Sequence, residues 1–140
     1  MSTVAERLAA VRTELHSRCN TIEEAYEFML AYAGQGLSSD SGSSKGAQVR
    51  EFLTKAEAAM AALSTLASGL AGTTDAEFVF VAAFMDVVDR DARASRAAVA
   101  IVLALPGISS QVIDNLNASI HLRALLTDLF LVDEVLKGHK

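Results

Sequence analysis

Tryptophan is absent from this chain of 140 residues, cysteine and proline occur once each, and aromatic residues make up only 6%. With so few aromatics, Ala, Val, Leu and Ile must fill any core. Such residues favour close-packed helices over large ligand cavities. The lone cysteine, Cys19, excludes an intramolecular disulfide and permits a reducing cytoplasm. Positive charge is also scarce: 12 Lys and Arg stand against 17 Asp and Glu, for a net charge of −5 and a pI of about 5.1. The cations are scattered, so sequence-independent nucleic-acid binding, which needs clustered ones, is not expected.

Long hydrophobic runs are missing too. The longest uncharged stretches are Ala58–Thr74, which contains Gly69 and Gly72, and Ala97–Ile113, which Pro106-Gly107 interrupts. Neither makes a membrane span. Met1–Arg7 lacks the apolar region of a signal peptide. Motifs of chemistry are absent as well. Gly34-Gln35-Gly36 follows no strand pattern and precedes no Gly-Lys-Ser/Thr, so it is no nucleotide loop. No repeated Glu-x-x-His pair supports a di-iron bundle, and no nucleophile elbow supports a hydrolase.

What is present is helical periodicity. The chain is 51% hydrophobic and 21% charged, in the globular range. Its length suits one domain over residues 1–140. The first pattern runs Val4, Leu8, Val11, Leu15, then Ile22, Ala25, Met29 and Tyr32, with Arg18 in the intervening place. The seam keeps register across Asn20, although Thr21-Ile22-Glu23-Glu24 has capping-box form. One long helix is expected, with Asn20 as its point of bending. Residues 34–46 are rich in Gly and Ser and are expected to form a mobile, dispensable linker.

A second pattern comprises Val49, Phe52, Ala56, Leu63, Leu66 and Leu70, with Met60 beside it. It ends at Gly69 and Gly72, and Thr73-Thr74-Asp75 caps the next helix. The third runs from Asp75 or Ala76 to about Leu105. Its apolar face holds Phe80, Val81, Phe84, Met85, Val88, Ala92, Ser95, Val99, Val102 and Leu103. Asp86, Asp89, Arg90, Arg93 and Arg96 form the opposite face, with favourable Asp86–Arg90 and Asp89–Arg93 spacings. The fourth begins at Ser109 or Ser110 and runs to about Leu136. Val112, Ile113, Leu116 and Ile120 share one side, whereas Leu122, Leu125, Leu129, Val132 and Leu136 lie nearly opposite. The change of face after Asn115-Leu116-Asn117 predicts a break or two different partners.

The expected fold is therefore all-α: a four-helix bundle, mostly antiparallel, with a long first helix. Three charges fall at positions the pattern assigns to the core: Arg18, Asp91 and Arg123. A buried charge without a partner is costly, so these three are expected to meet. They would form an ion pair that fixes helix register, snorkel at the bundle's end, or line a ligand site. His16, Cys19 and Glu23 share a helix face, which makes His16, Cys19 and His121 a weaker candidate metal set. No cofactor is indicated. The functional expectation is a cytoplasmic, non-enzymatic accessory or adaptor protein that binds a protein partner and self-associates. The alternatives are a ligand-binding or catalytic bundle around Asp91, Arg18 and Arg123, and a metal-binding bundle.

Overall fold

The computed structural model describes residues 4–70, 76 and 79–137. They form five helices and no strand: α1 (Val4–Ala33), α2 (Ser44–Leu70), α3 (Val79–Leu103), α4 (Ser110–Asn117) and α5 (Ile120–Lys137). The fold is all-α, as the periodicity predicts, but with five helices where four were expected. The extra one comes from the face change in the fourth segment. The chain leaves helix geometry at Ala118–Ser119 and restarts at Ile120, with the Arg123 amide donating to the Ser119 carbonyl at 3.2 Å. Breaking there lets both apolar faces turn inward. Ile113 and Leu116 are buried before the break, and Leu122, Leu125, Leu129, Val132 and Leu136 after it. The price is Ile120, which ends in solvent.

The first helix is continuous through Asn20. Its seam differs from the sequence reading at one place. Cys19, not Arg18, fills the position between Leu15 and Ile22. Steps of four then three satisfy the helix as well as three then four, and a thiol is far cheaper to bury than a guanidinium. Across α2, Leu53 and Met60 join Val49, Ala56 and Leu63 as fully buried residues. The expected cap of the third helix at residues 73–75 and the stop at Gly72 lie outside the described residues.

One buried cluster unites the five helices, with Tyr32, Met29, Leu53, Met85, Ile108 and Leu125 among its largest members. The face of α3 is narrower than its pattern suggests. Phe84 and Leu103 are half-buried and Phe80 is 83% exposed.

The segment expected to be a mobile linker is tied into the fold. The amide of Leu37 donates to Ser110 Oγ at 2.9 Å, and the amide of Ser110 donates to the Leu37 carbonyl at 2.8 Å. Ser110 Oγ donates in turn to the Tyr32 carbonyl at 2.7 Å, and Tyr32 Oη donates to the Ile108 carbonyl at 2.6 Å. Asp40 accepts from Arg50 Nε and from the Ile108 amide, both at 2.7 Å. The rest of the Arg50 fork reaches the Leu103 and Leu105 carbonyls at 3.1 and 2.8 Å, satisfying groups that the end of α3 leaves open. Two left-handed glycines, Gly36 and Gly42, let the chain fold back. Gly46 is held against the Asp40 backbone so closely that a Cβ would collide with it.

Candidate functional site

The residues nominated from sequence do not form one centre. Arg18 is half-exposed and bonds within its own helix, to Glu14 at 2.8 Å. Together they border a groove of about 470 Å³ between α1 and α2, walled by Val11, Ala62, Leu66 and Leu70. Arg123 is exposed. Asp91 pairs with neither. The expectation that it meets Arg18 or Arg123 is corrected, although its half-buried position on the inner side of α3 is as predicted.

The residue that meets Asp91 is another aspartate. Asp128, on α5, makes a side-chain hydrogen bond to Asp91, and its carboxyl is pushed up from 3.8 to about 7. The main cause is burial, followed by the bond to Asp91 and the charge of Asp91. A carboxylate cannot donate, so this bond needs one shared proton. When Asp128 is ionised, its Oδ2 is buried with no donor among the described residues. Ser95, one turn along α3 from Asp91, is fully buried, and its hydroxyl also lacks a partner there. Such orphaned groups are rare in helical cores and call for an explanation. The apolar spacing of Leu125, Leu129 and Val132 does not single out Asp128, which lies at the edge of their stripe. A second carboxylate at the edge of an apolar stripe was the available signal.

Two contacts show which flank of α3 faces which helix. Arg96 approaches Glu57 of α2 at 3.6 Å, while Asp91 faces α5. At about 100° per residue, Phe80, Val87, Ala94 and Ile101 lie on Asp91's side of α3, with Phe80 and Ile101 exposed and Val87 and Ala94 half-buried. Similarly, Asp133 of α5 faces His16 of α1 at 3.7 Å, while Asp128 faces α3. Ile120, Ala124, Leu131 and Val135 lie on Asp128's side, all exposed but the half-buried Ala124. The carboxyl pair therefore sits at the floor of an apolar face shared by α3 and α5. Ile120 is 75% exposed there and Ile101 70%, with Leu131 and Val135 about half exposed.

The charges around this face are incompletely matched. Arg93 bonds Asp89 at 3.0 Å, as its spacing predicts. Arg90 does not bond the Asp86 carboxylate. Its Nε reaches only the Asp86 backbone carbonyl, at 3.4 Å, and it has no carboxylate partner among the described residues.

The metal set does not assemble. Among the described residues no three His, Cys, Asp or Glu side chains come together to hold an ion. His121 is exposed at the start of α5, whereas Cys19 is buried in α1 and donates to Glu23 at 3.2 Å. Burial pushes the Cys19 thiol up to about 12, with the Glu23 bond and the charges of Glu23 and Asp133 adding to it. A thiol so held is an inert core residue. No helix among the described residues is long and apolar enough to cross a membrane. Comparisons with protein-family models, curated proteins and solved structures found no match to this chain.

Proposed function

We propose that this chain is a cytoplasmic, non-enzymatic helical accessory protein that acts through protein–protein contacts and self-associates as a homodimer. In this reading the five helices form one domain with four antiparallel stems, α4 and α5 together making the fourth. The supporting observation is the α3–α5 face, where Ile101, Ile120, Leu131 and Val135 are left in water. Scattered exposed leucines are ordinary. A run of large aliphatics along two adjacent helices is the mark of an interaction surface.

A ligand-binding reading has less support. Arg18 is already neutralised by Glu14, and the groove beside it contains neither Asp91 nor Arg123.

Light scattering at about 100 µM tests the proposal, because closed dimers are the commonest assemblies. The expected mass is twice the 14.8 kDa of the chain. To test hetero-association separately, a photo-crosslinking residue is placed at Ile120 in living cells. Adducts are expected there and none at Arg93, on the solvated side of α3. A monomer without adducts at Ile120 overturns the reading.

A further inference from the structure

We infer that α5 is a proton-latched arm: the one proton shared by Asp91 and Asp128 holds it against α3, and opening of α5 about the break at Ala118–Ser119 releases that proton to solvent. This holds whether or not the chain self-associates.

The break supplies the hinge. α4 is pinned at its start, where Ser110 Oγ donates to the Tyr32 carbonyl at 2.7 Å and the Ser110 amide donates to the Leu37 carbonyl at 2.8 Å. The chain leaves helix geometry at Ala118–Ser119, so α5 can swing while α4 stays in place. α5 packs against α3 and α1, and Leu122, Leu125, Leu129, Val132 and Leu136 are buried on its inner face. That burial keeps the closed arm dominant at every pH. The proton sets how often the arm opens, as one local event within an otherwise folded chain.

The polar contact under α5 needs the proton. Two carboxyls meet across the α3–α5 seam, and Asp128 Oδ2 is buried there without a donor among the described residues. Ser95, one turn along α3, is fully buried, yet its hydroxyl bonds neither carboxyl. The charged groups of the surrounding helices are engaged elsewhere or turned away. On α1, His16 faces Asp133 at 3.7 Å and Cys19 donates to Glu23 at 3.2 Å. On α2, Glu57 meets Arg96 on the other flank of α3. Within α3, Arg93 bonds Asp89 and Arg90 Nε reaches the Asp86 carbonyl. Asp114 of α4 is exposed, and so are Arg123 and Glu134 of α5. The charge that acts on Asp128 is that of Asp91.

Loss of the proton takes the pair from one negative charge to two. In the closed seam those charges touch with no cation between them, whereas in the open arm water solvates both. Asp128 keeps its proton up to about 7 when closed and reverts to an ordinary 3.8 when open. Opening is therefore suppressed in acid, rises with pH through that window, and levels off above it.

Hydrogen–deuterium exchange of the full chain, read helix by helix and corrected for the intrinsic pH dependence of amide exchange, tests the latch. The α5 amides should open at least about fivefold more often at about pH 8 than at about pH 5. They should also exchange ahead of the slowest α2 amides at both. D128N should abolish this response. D91N should abolish it too, because an amide donor then meets the Asp128 carboxylate and no proton is needed. Circular dichroism checks that each variant is folded, and if neither folds the helix-by-helix response of the parent decides. An α5 opening that does not change with pH overturns the latch, as does a response that persists in a folded D128N or D91N. If α5 exchanges only together with the slowest α2 amides, unfolding is global, and a hinged arm is overturned equally.

Discussion

Asp40 and Asp128 have similar surroundings at first sight: each is partly buried, each hydrogen-bonds another side chain, and each joins distant parts of the chain. Their environments act in opposite directions. Asp40 meets a guanidinium and a backbone amide, and its carboxyl is held down at about 2, mainly by the Arg50 bond and then by the Ile108 amide. Asp128 meets another carboxyl and is pushed up to about 7. Around Asp40 converge the hydrogen bonds that tie Tyr32, Leu37 and Arg50 to residues 103–110. Around Asp128, polar atoms are left without donors. One end of the fold is a satisfied clasp whose charges are used up inside the chain. The α3–α5 face leaves polar atoms unmatched and large aliphatics in water.

The clasp should be the costlier region to damage. Asp40→Ala strands Arg50 and frees the Ile108 amide, and should destabilise by about 3 kcal/mol in urea unfolding, since hydrogen bonds to charged groups contribute most. A loss under about 1 kcal/mol would mean the loop is indeed a dispensable linker. Tyr32→Phe removes one buried bond and leaves the Ile108 carbonyl unsatisfied. About 1–2 kcal/mol should be lost by the same measurement.

The smallest effect should have the opposite sign. Asp128→Asn keeps a donor towards Asp91 and removes a charge, so it should stabilise the protein at pH 8 by about 1 kcal/mol, after discounting for solvent screening of the half-buried pair. The pH dependence separates the two aspartates. Asp128 has a raised folded value, so the native state holds its proton more tightly than the unfolded chain. Stability therefore falls as pH rises from 3.8 through about 7. Asp40 has a lowered value, so its contribution is full above 3.8 and lost as pH falls towards about 2. Melting temperatures of the parent and Asp128→Asn should coincide near the acid end of the Asp128 window and diverge by pH 8. Curves that stay parallel throughout would show that Asp128 titrates normally, and the contrast would collapse.

Much of the core was legible from spacing alone. Leu15, Ile22, Met29 and Tyr32 bury as the first seam predicts, and the change of face near Asn117 correctly marks a discontinuity. The errors share a cause. Steps of three then four from Leu15 place Arg18 inward, whereas steps of four then three place Cys19 there, and the fold takes the second. The face that would carry Arg123 inward ends at the break, so Arg123 turns outward with the new helix. The composition of the loop predicts mobility, yet Asp40, Leu37 and Arg50 find partners 53 to 73 residues away that composition does not reveal.

By itself the sequence determined that this chain is helical, roughly where its helices lie, and that Asp91 is on an inward face, because those properties depend on neighbours within two turns. Only the tertiary structure decided that Asp91 would face Asp128 and that Arg50 would cap α3. Those pairings depend on how far each helix slides and rotates against the next. Many buried side chains on several helices set that slide jointly, and no local pattern records it.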